Sequence, residues 1–233
     1  MDKYSILKQY YGHSAFRAGQ EELIDSILSG RDALCVMPTG GGKSLCYQIP
    51  ALLLPGITLV VSPLISLMKD QVAALKSAGV PAAYINSSLT GEQIRTVYAR
   101  TRKGAYKLIY VAPERLETNS FLSLMQEMDV SFLAVDEAHC ISQWGQDFRP
   151  SYLGIVDFIN ALPRRPIVAA YTATATKQVQ SDILRLLQLQ SPYRIVTGFD
   201  RPNLYFDVRR PKNKFSALAE LIDERRGRSG IVY

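Results

Sequence analysis

Short apolar runs rich in β-branched residues alternate along this chain with segments in which apolar residues recur every three or four positions. The runs are ALCVM (33–37), TLVVS (58–62), AAYIN (82–86), KLIYVA (107–112), FLAVDE (132–137) and IVAAYTA (167–173). Between them lie helix-like segments such as 20–28, 66–78 and 178–187. A run that is apolar at consecutive positions suits a strand buried on both faces, and helical crossovers between such strands make them parallel. The pattern predicts an α/β fold with a mostly parallel β-sheet flanked by helices. No internal repeat or low-complexity segment breaks it.

The 233 residues, 47% of them hydrophobic, can supply the core of one large domain or of one domain and a fragment. The first ten residues, MDKYSILKQY, hold no continuous apolar core, and the richest apolar stretch, 49–61, is broken by Pro50, Pro55 and Gly56. Neither a signal peptide nor a membrane span is expected, so a cytoplasmic protein of the bacterial kind, or an otherwise intracellular one, is anticipated. Cys35, Cys46 and Cys140 are odd in number and fit no metal-site spacing, which leaves them as small buried apolar residues.

Lys and Arg total 27 against 21 Asp and Glu, a net charge of +6 that permits a polyanionic partner. Half of that excess lies from Asp200 onward, where eight basic residues face five acidic ones. The stretch GFDRPNLYFDVRRPKN (198–213) has no periodicity and is rich in Pro, Arg and Asn, as a linker would be. After it Phe215, Leu218, Ala219 and Ile222 mark a helix, and GIVY (230–233) reads as the opening of another buried strand. The expected organisation is a first domain over 1–198, a linker over 199–213 and the start of a truncated second domain over 214–233.

Two stretches carry chemistry. MPTGGGKS (37–44) follows the first apolar run and precedes LCYQIPALL, which can begin a helix. A phosphate loop is usually written GxxxxGK[ST], with glycine where Met37 stands, yet its work needs no glycine there. Backbone N–H groups cradle a phosphate, Lys43 reaches the outer phosphates, and the Ser44 hydroxyl meets Mg²⁺ at a helix start whose dipole favours anions. The bland alternative is a flexible glycine turn with an exposed lysine. The second stretch, DEAH (136–139), directly follows an apolar run, and ligands bind at such carboxyl ends of parallel strands. Asp136 there suits a Mg²⁺ shell and Glu137 suits orienting or deprotonating an attacking water. Alone, it could be an acidic turn or helix cap.

Taken together, the chain resembles the N-terminal part of RecQ-family DNA helicases, within the superfamily of DEAD/DEAH boxes. The likeness runs through FRAGQ (16–20), MPTGGGKS, SPLISLMKDQV (62–72), APERL (112–116), DEAHCISQWGQDFRP (136–150), TATAT (172–176) and FDRPNL (199–204). It implies a RecA-like P-loop domain, the first half of an ATP-dependent motor that translocates 3′ to 5′ on single-stranded and partly duplex DNA. Its cofactors would be ATP and Mg²⁺, with no membrane involved. It further implies catalytic roles for Lys43, Asp136, Glu137 and His139, and nucleotide contacts from Thr39, Gly40, Gly41, Gly42, Lys43 and Ser44. Ser44 and Asp136 would hold the metal.

Arg17 and Gln20 would recognise adenine, with His13 where the family has a base-stacking aromatic. Ser62, Pro63 and Arg115 would contact the strand, as would Trp144, Phe148 and Arg149, whose aromatic faces and cation suit bases and phosphate. TAT (172–174) would couple nucleotide state to strand binding. Position 146 carries Gln where the family typically has His. The arginine that a facing second domain supplies in this superfamily has no matching segment here. An RNA-directed ATPase of the same superfamily, or a nucleotide-binding module without motor activity, are the alternatives.

Overall fold

Ala33–Val36 (β1) is a short strand buried at all four positions. In the computed structural model, which describes residues 1–198 and 204–232, the chain divides into two units, Met1–Phe199 and Asp200–Tyr233. The first unit opens with helices α1 (Lys3–Tyr11) and α2 (Gln20–Leu28) ahead of β1. There follow α3 (Lys43–Leu53), β2 (Ile57–Val61), α4 (Ile65–Ser77), β3 (Ala82–Ile85), α5 (Gly91–Arg102) and β4 (Leu108–Val111). Next come α6 (Pro113–Leu116), α7 (Asn119–Glu127) and β5 (Val130–Val135), then two 3₁₀ turns at Ala138–Ile141 and Pro150–Tyr152. The unit closes with α8 (Gly154–Ala161), β6 (Ile167–Thr172), α9 (Lys177–Leu186) and β7 (Tyr193–Val196).

The seven strands form one sheet in the order β3-β4-β2-β5-β6-β1-β7, and every pairing is parallel. Side chains alternate between its two faces, as the pleat requires. Leu34 and Val36 join the core on one face with Leu59, Leu133 and Phe121, while Ala33 and Cys35 join the other with Val60, Phe132 and Tyr171. All three cysteines are buried free thiols, and burial pushes Cys35 and Cys140 up to about 12.

Six strands coincide with the apolar runs. The seventh, β7, lies at the sheet edge and alternates half-buried Tyr193 and Ile195 with exposed Arg194 and Val196, so no continuous run announces it. Pro50 sits inside α3, where it has no N–H for the carbonyl of Cys46 one turn back. The buried Tyr171 hydroxyl donates to that carbonyl instead, at 3.2 Å, so the helix leaving MPTGGGKS continues through the proline.

In the second unit α10 (Lys214–Glu224) forms where the apolar spacing predicts it, capped by the Asn213 side chain. The strand expected at GIVY is not found: Gly230–Val232 have no regular structure, and Ile231 and Val232 are exposed. An apolar run forms a strand only where another strand offers a ladder, and none among the described residues of this unit does. Residues 204–213 of the expected linker carry neither helix nor strand, while 199–203, most of FDRPNL, lie outside the described residues.

Candidate nucleotide and nucleic-acid site

The sheet order sets the motif loops side by side along one edge. β6 lies between β1 and β5, so MPTGGGKS after β1, TAT at the end of β6 and DEAH after β5 leave neighbouring strands. SPL follows β2 beyond β5, and APER follows β4 beyond that.

Met37 finds its explanation in the sheet. Its N–H donates to the Thr172 carbonyl at 3.0 Å, extending the β1–β6 ladder, and its side chain is buried in the core. The position directly follows β1 and precedes the turn, so a buried side chain there anchors the loop. The turn itself needs its glycines: Gly40 and Gly42 have φ of 81° and 86°. A Cβ on Gly41 would lie 2.9 Å from the Pro38 carbonyl, and one on Gly42 would strike the Gln20 amide. Gly42 caps α3, which places Lys43 and Ser44 in its first turn, and the Lys43 ammonium donates to the Met37 carbonyl at 2.9 Å.

The residues before β1 brace this loop. Gln20, buried, accepts the Arg17 N–H at 2.9 Å and donates from its amide nitrogen to the Gly41 carbonyl at 3.1 Å. The Arg17 guanidinium donates to the Gly40 carbonyl. Both polar ends of Gln20 are thus engaged with the chain itself. His13 and Arg17 are exposed at the mouth of a cleft of about 410 Å³ that Thr39, Lys43, Ser44, Asp136 and Glu137 also line.

DEAH is held as a strained turn. The Asp136 N–H donates to the Val61 carbonyl at 2.9 Å, its carbonyl accepts the buried Tyr152 hydroxyl at 2.9 Å, and its carboxylate accepts the Glu137 N–H at 3.0 Å. Burial, and then the neighbouring Glu137 carboxylate, pushes the Asp136 carboxyl up to about 6, against a smaller opposing pull from Lys43. Glu137 adopts φ of 47°, a left-handed conformation that costs a non-glycine residue of order 1 kcal/mol and clusters at functional sites.

The same turn sets Glu137 3.4 Å from His139 Nδ1, which lies 2.9 Å from Thr172 Oγ1. Thr172 gives its own hydroxyl proton to the Thr174 carbonyl at 3.0 Å. It therefore accepts from His139, which fixes the imidazole proton on Nδ1.

Beyond the carboxylates, the chain turns back as the segment 142–149. Trp144 is 75% exposed, which excludes a core role, and Phe148 is half-buried. Arg149 donates to the Asp147 carboxylate at 2.7 and 2.9 Å and to the Pro63 carbonyl at 3.3 Å, joining this loop to SPL. Pro63 and Arg115 are partly exposed, and Arg115 bonds the Asn86 carbonyl at 3.4 Å. Ser62 is not brought to the surface: it is buried, and its N–H is taken by the Val111 carbonyl. The sequence reading missed Tyr152 and Asp182, which hold these loops from distant positions with no local motif to mark them.

The donor set suits a nucleoside triphosphate with a hard divalent cation. A helix N-terminus in a glycine turn offers N–H groups and a cation at Lys43, while Ser44 and Asp136 offer oxygen ligands on the same cleft.

A family model described as DEAD/DEAH box helicase matches residues 17–182, and the chain belongs to that family. Its sequence is similar to ATP-dependent DNA helicase RecQ of Bacillus subtilis (strain 168), 49% identical over 98% of this chain and 39% of the relative. It is likewise 49% identical to RecQ of Haemophilus influenzae, over 98% of this chain and 37% of that protein. The chain thus spans about two fifths of the length of these curated relatives.

Among solved structures, the DUF1998 helicase MrfA bound to DNA and AMPPNP superposes with TM-score 0.69 at 17% identity, covering 96% of this chain and 34% of that one. The Pyrococcus furiosus Hef helicase domain gives 0.60 at 21% identity, covering 77% and 38%. These neighbours show the RecA-like helicase fold. No described helix is long and apolar enough to cross a membrane.

Proposed function

We propose that this chain is the first motor domain of an ATP-dependent DNA helicase of the RecQ type, which couples ATP hydrolysis to 3′ to 5′ movement on DNA. One observation supports it above the rest: the turn that presents Asp136 and Glu137 to the cleft runs on directly into the loop bearing exposed Trp144. A strand held on that loop is therefore a few residues from the groups that would act on the nucleotide.

In this reading Lys43 exchanges the Met37 carbonyl for the outer phosphates, and the N–H groups of 40–44 hold the phosphate between them. Mg²⁺, held by Ser44 and Asp136, would neutralise charge on the phosphates. Glu137 orients the attacking water, with His139 and Thr172 fixing its carboxylate. His13 and Arg17 flank the adenine, and Gln20 reads the base edge only by releasing the loop carbonyls. Pro63, Arg115, Trp144, Phe148 and Arg149 take the strand, while Ser62 contributes from beneath the surface by fixing Pro63.

The residues from 214 begin a second RecA-like domain after the linker 199–213. An arginine supplied across such a domain pair accelerates phosphoryl transfer by roughly three to five orders of magnitude. The 233-residue chain is accordingly expected to bind ATP, hydrolyse it slowly and unwind nothing. The test is ATP turnover with single-stranded DNA and with RNA, on this chain and on one extended past Tyr233. Stronger stimulation by DNA supports the reading. Equal or stronger stimulation by RNA would favour an RNA-directed ATPase, and unwinding by the 233-residue chain would refute the two-domain scheme.

A further inference from the structure

The loop 142–149 is anchored at its base by a side chain outside it. Ser142 is fully buried, at 0% exposure, and its hydroxyl donates to Asp182 Oδ2 at 2.7 Å while accepting the Trp144 N–H at 3.1 Å. The Ser142 carbonyl accepts the Gly145 N–H at 2.9 Å, closing a tight turn under Trp144. Gly145 has no room for a Cβ, which would strike the His139 carbonyl.

Asp182, 7% exposed, stands on α9, whose first turn is capped by Thr176 just beyond TAT. Its other carboxylate oxygen accepts from Arg185 at 3.1 Å. The hydrogen bond from Ser142, more than any other influence, holds the Asp182 carboxyl below the usual carboxylate range. Asp182, Trp144 and Phe148 line one groove of about 410 Å³ between the loop and α9.

We infer that Asp182 is a positioning residue for single-stranded DNA binding: through Ser142 it fixes the backbone from which Trp144 and Phe148 project. This rests on the proposed role of the loop in contacting the strand. The physical reason is economy of disorder. An exposed indole on a free loop must be ordered at the moment of binding, whereas a loop whose base is pinned by a buried charge-assisted hydrogen bond presents it already ordered. Asp182 lies far in sequence from the loop it holds, and on the helix that leaves the end of β6.

The test is a titration of Trp144 emission with a deoxythymidine oligonucleotide at low salt, using the full chain. Ser142→Ala and Asp182→Ala are each expected to raise the half-saturating concentration about tenfold, the loss typical of a hydrogen bond to a charged group. The double variant should be no worse than either single one, because both remove the same bond. Asp182→Asn, which keeps a neutral acceptor for Ser142, should lose less than either alanine variant. Binding of a fluorescent ATP analogue should be unchanged throughout, which a general loss of folding would not allow. Acrylamide quenching of Trp144 without DNA should rise in the two alanine variants.

Additive losses in the double variant, or unchanged DNA binding in both singles, would overturn the positioning role. A Phe148→Ala, Arg149→Ala variant separates the two readings. If it binds DNA as the parent does, the loop assignment falls and this inference with it. If it loses binding while Ser142→Ala does not, only the positioning role falls.

Discussion

His139 Nδ1 lies 2.9 Å from Thr172 Oγ1, so the turn that carries both carboxylates is tied to the end of β6 by one hydrogen bond. The hydroxyl passes its own proton to Thr174, so the bond has a fixed direction. Thr172→Val keeps the branched shape but removes the acceptor, leaving Nδ1 of the imidazole facing Glu137 at 3.4 Å. ATP affinity should stay within about twofold, while DNA-stimulated turnover should drop roughly tenfold, as loss of one such hydrogen bond implies. Stimulated turnover equal to the parent's would show that this contact is only structural.

Asp136 has a folded carboxyl value of about 6, against 3.8 when unperturbed. A raised value means the unfolded chain releases its proton first. Ionisation in the fold therefore costs stability progressively from about pH 4 to about pH 6, and the cost is complete above that. The rise corresponds to about 3 kcal/mol. Without Mg²⁺, Asp136→Asn should stabilise the chain by up to that amount at pH 8, with the gain fading toward pH 4, as measured by urea unfolding. No gain at pH 8, or the same gain at both, would contradict the burial assigned to this carboxylate.

Tyr171 donates to the Cys46 carbonyl that Pro50 leaves without a helical partner. Tyr171→Phe preserves the packing and strips the hydroxyl, so a buried carbonyl loses its donor. A loss of about 1–3 kcal/mol in unfolding free energy is expected, read as a lower urea midpoint with unchanged slope. A midpoint within error of the parent's would mean the helix tolerates the gap.

Trp144 is the chain's one tryptophan, so its emission reports on the loop alone. At 75% exposure it should emit as a solvated indole before any ligand is added. Single-stranded DNA at low salt should change that emission, and high salt should reverse the change through counterion competition. A blue-shifted emission indifferent to DNA would remove the loop from the nucleic-acid interface.

How much of this was legible in the sequence depends on how local each cause is. Six strands are buried on both faces, so each writes a continuous apolar run, whereas β7 at the edge alternates and passes for irregular chain. Met37 was legible as compatible with the phosphate loop, but its bond to Thr172 just beyond β1 was not, because that partner is distant in sequence. Trp144 was legible as non-core because Gly145, Gln146, Asp147 and Arg149 make a poor core segment around it. GIVY misled because an apolar run reports a tendency and a ladder needs a partner. Gln20 was read as a base-recognising amide, yet its amide braces the glycine turn. That bond, like Asp182 holding Ser142 and Tyr152 holding Asp136, joins residues whose nearness only the folded topology creates.

The most direct measurement is calorimetric titration of the parent, Lys43→Ala and Glu137→Gln with ATP and Mg²⁺. Lys43 supplies the one lysine charge of the phosphate loop, and a charge-assisted bond to phosphate is worth about 1.5–3 kcal/mol, so its removal should weaken binding roughly ten- to a hundredfold. Glu137→Gln should bind ATP about as the parent does and hydrolyse none of it, since the role proposed for that side chain is on water and not on the phosphates. ATP bound by Lys43→Ala with the parent's affinity would contradict the placement of the nucleotide at this loop.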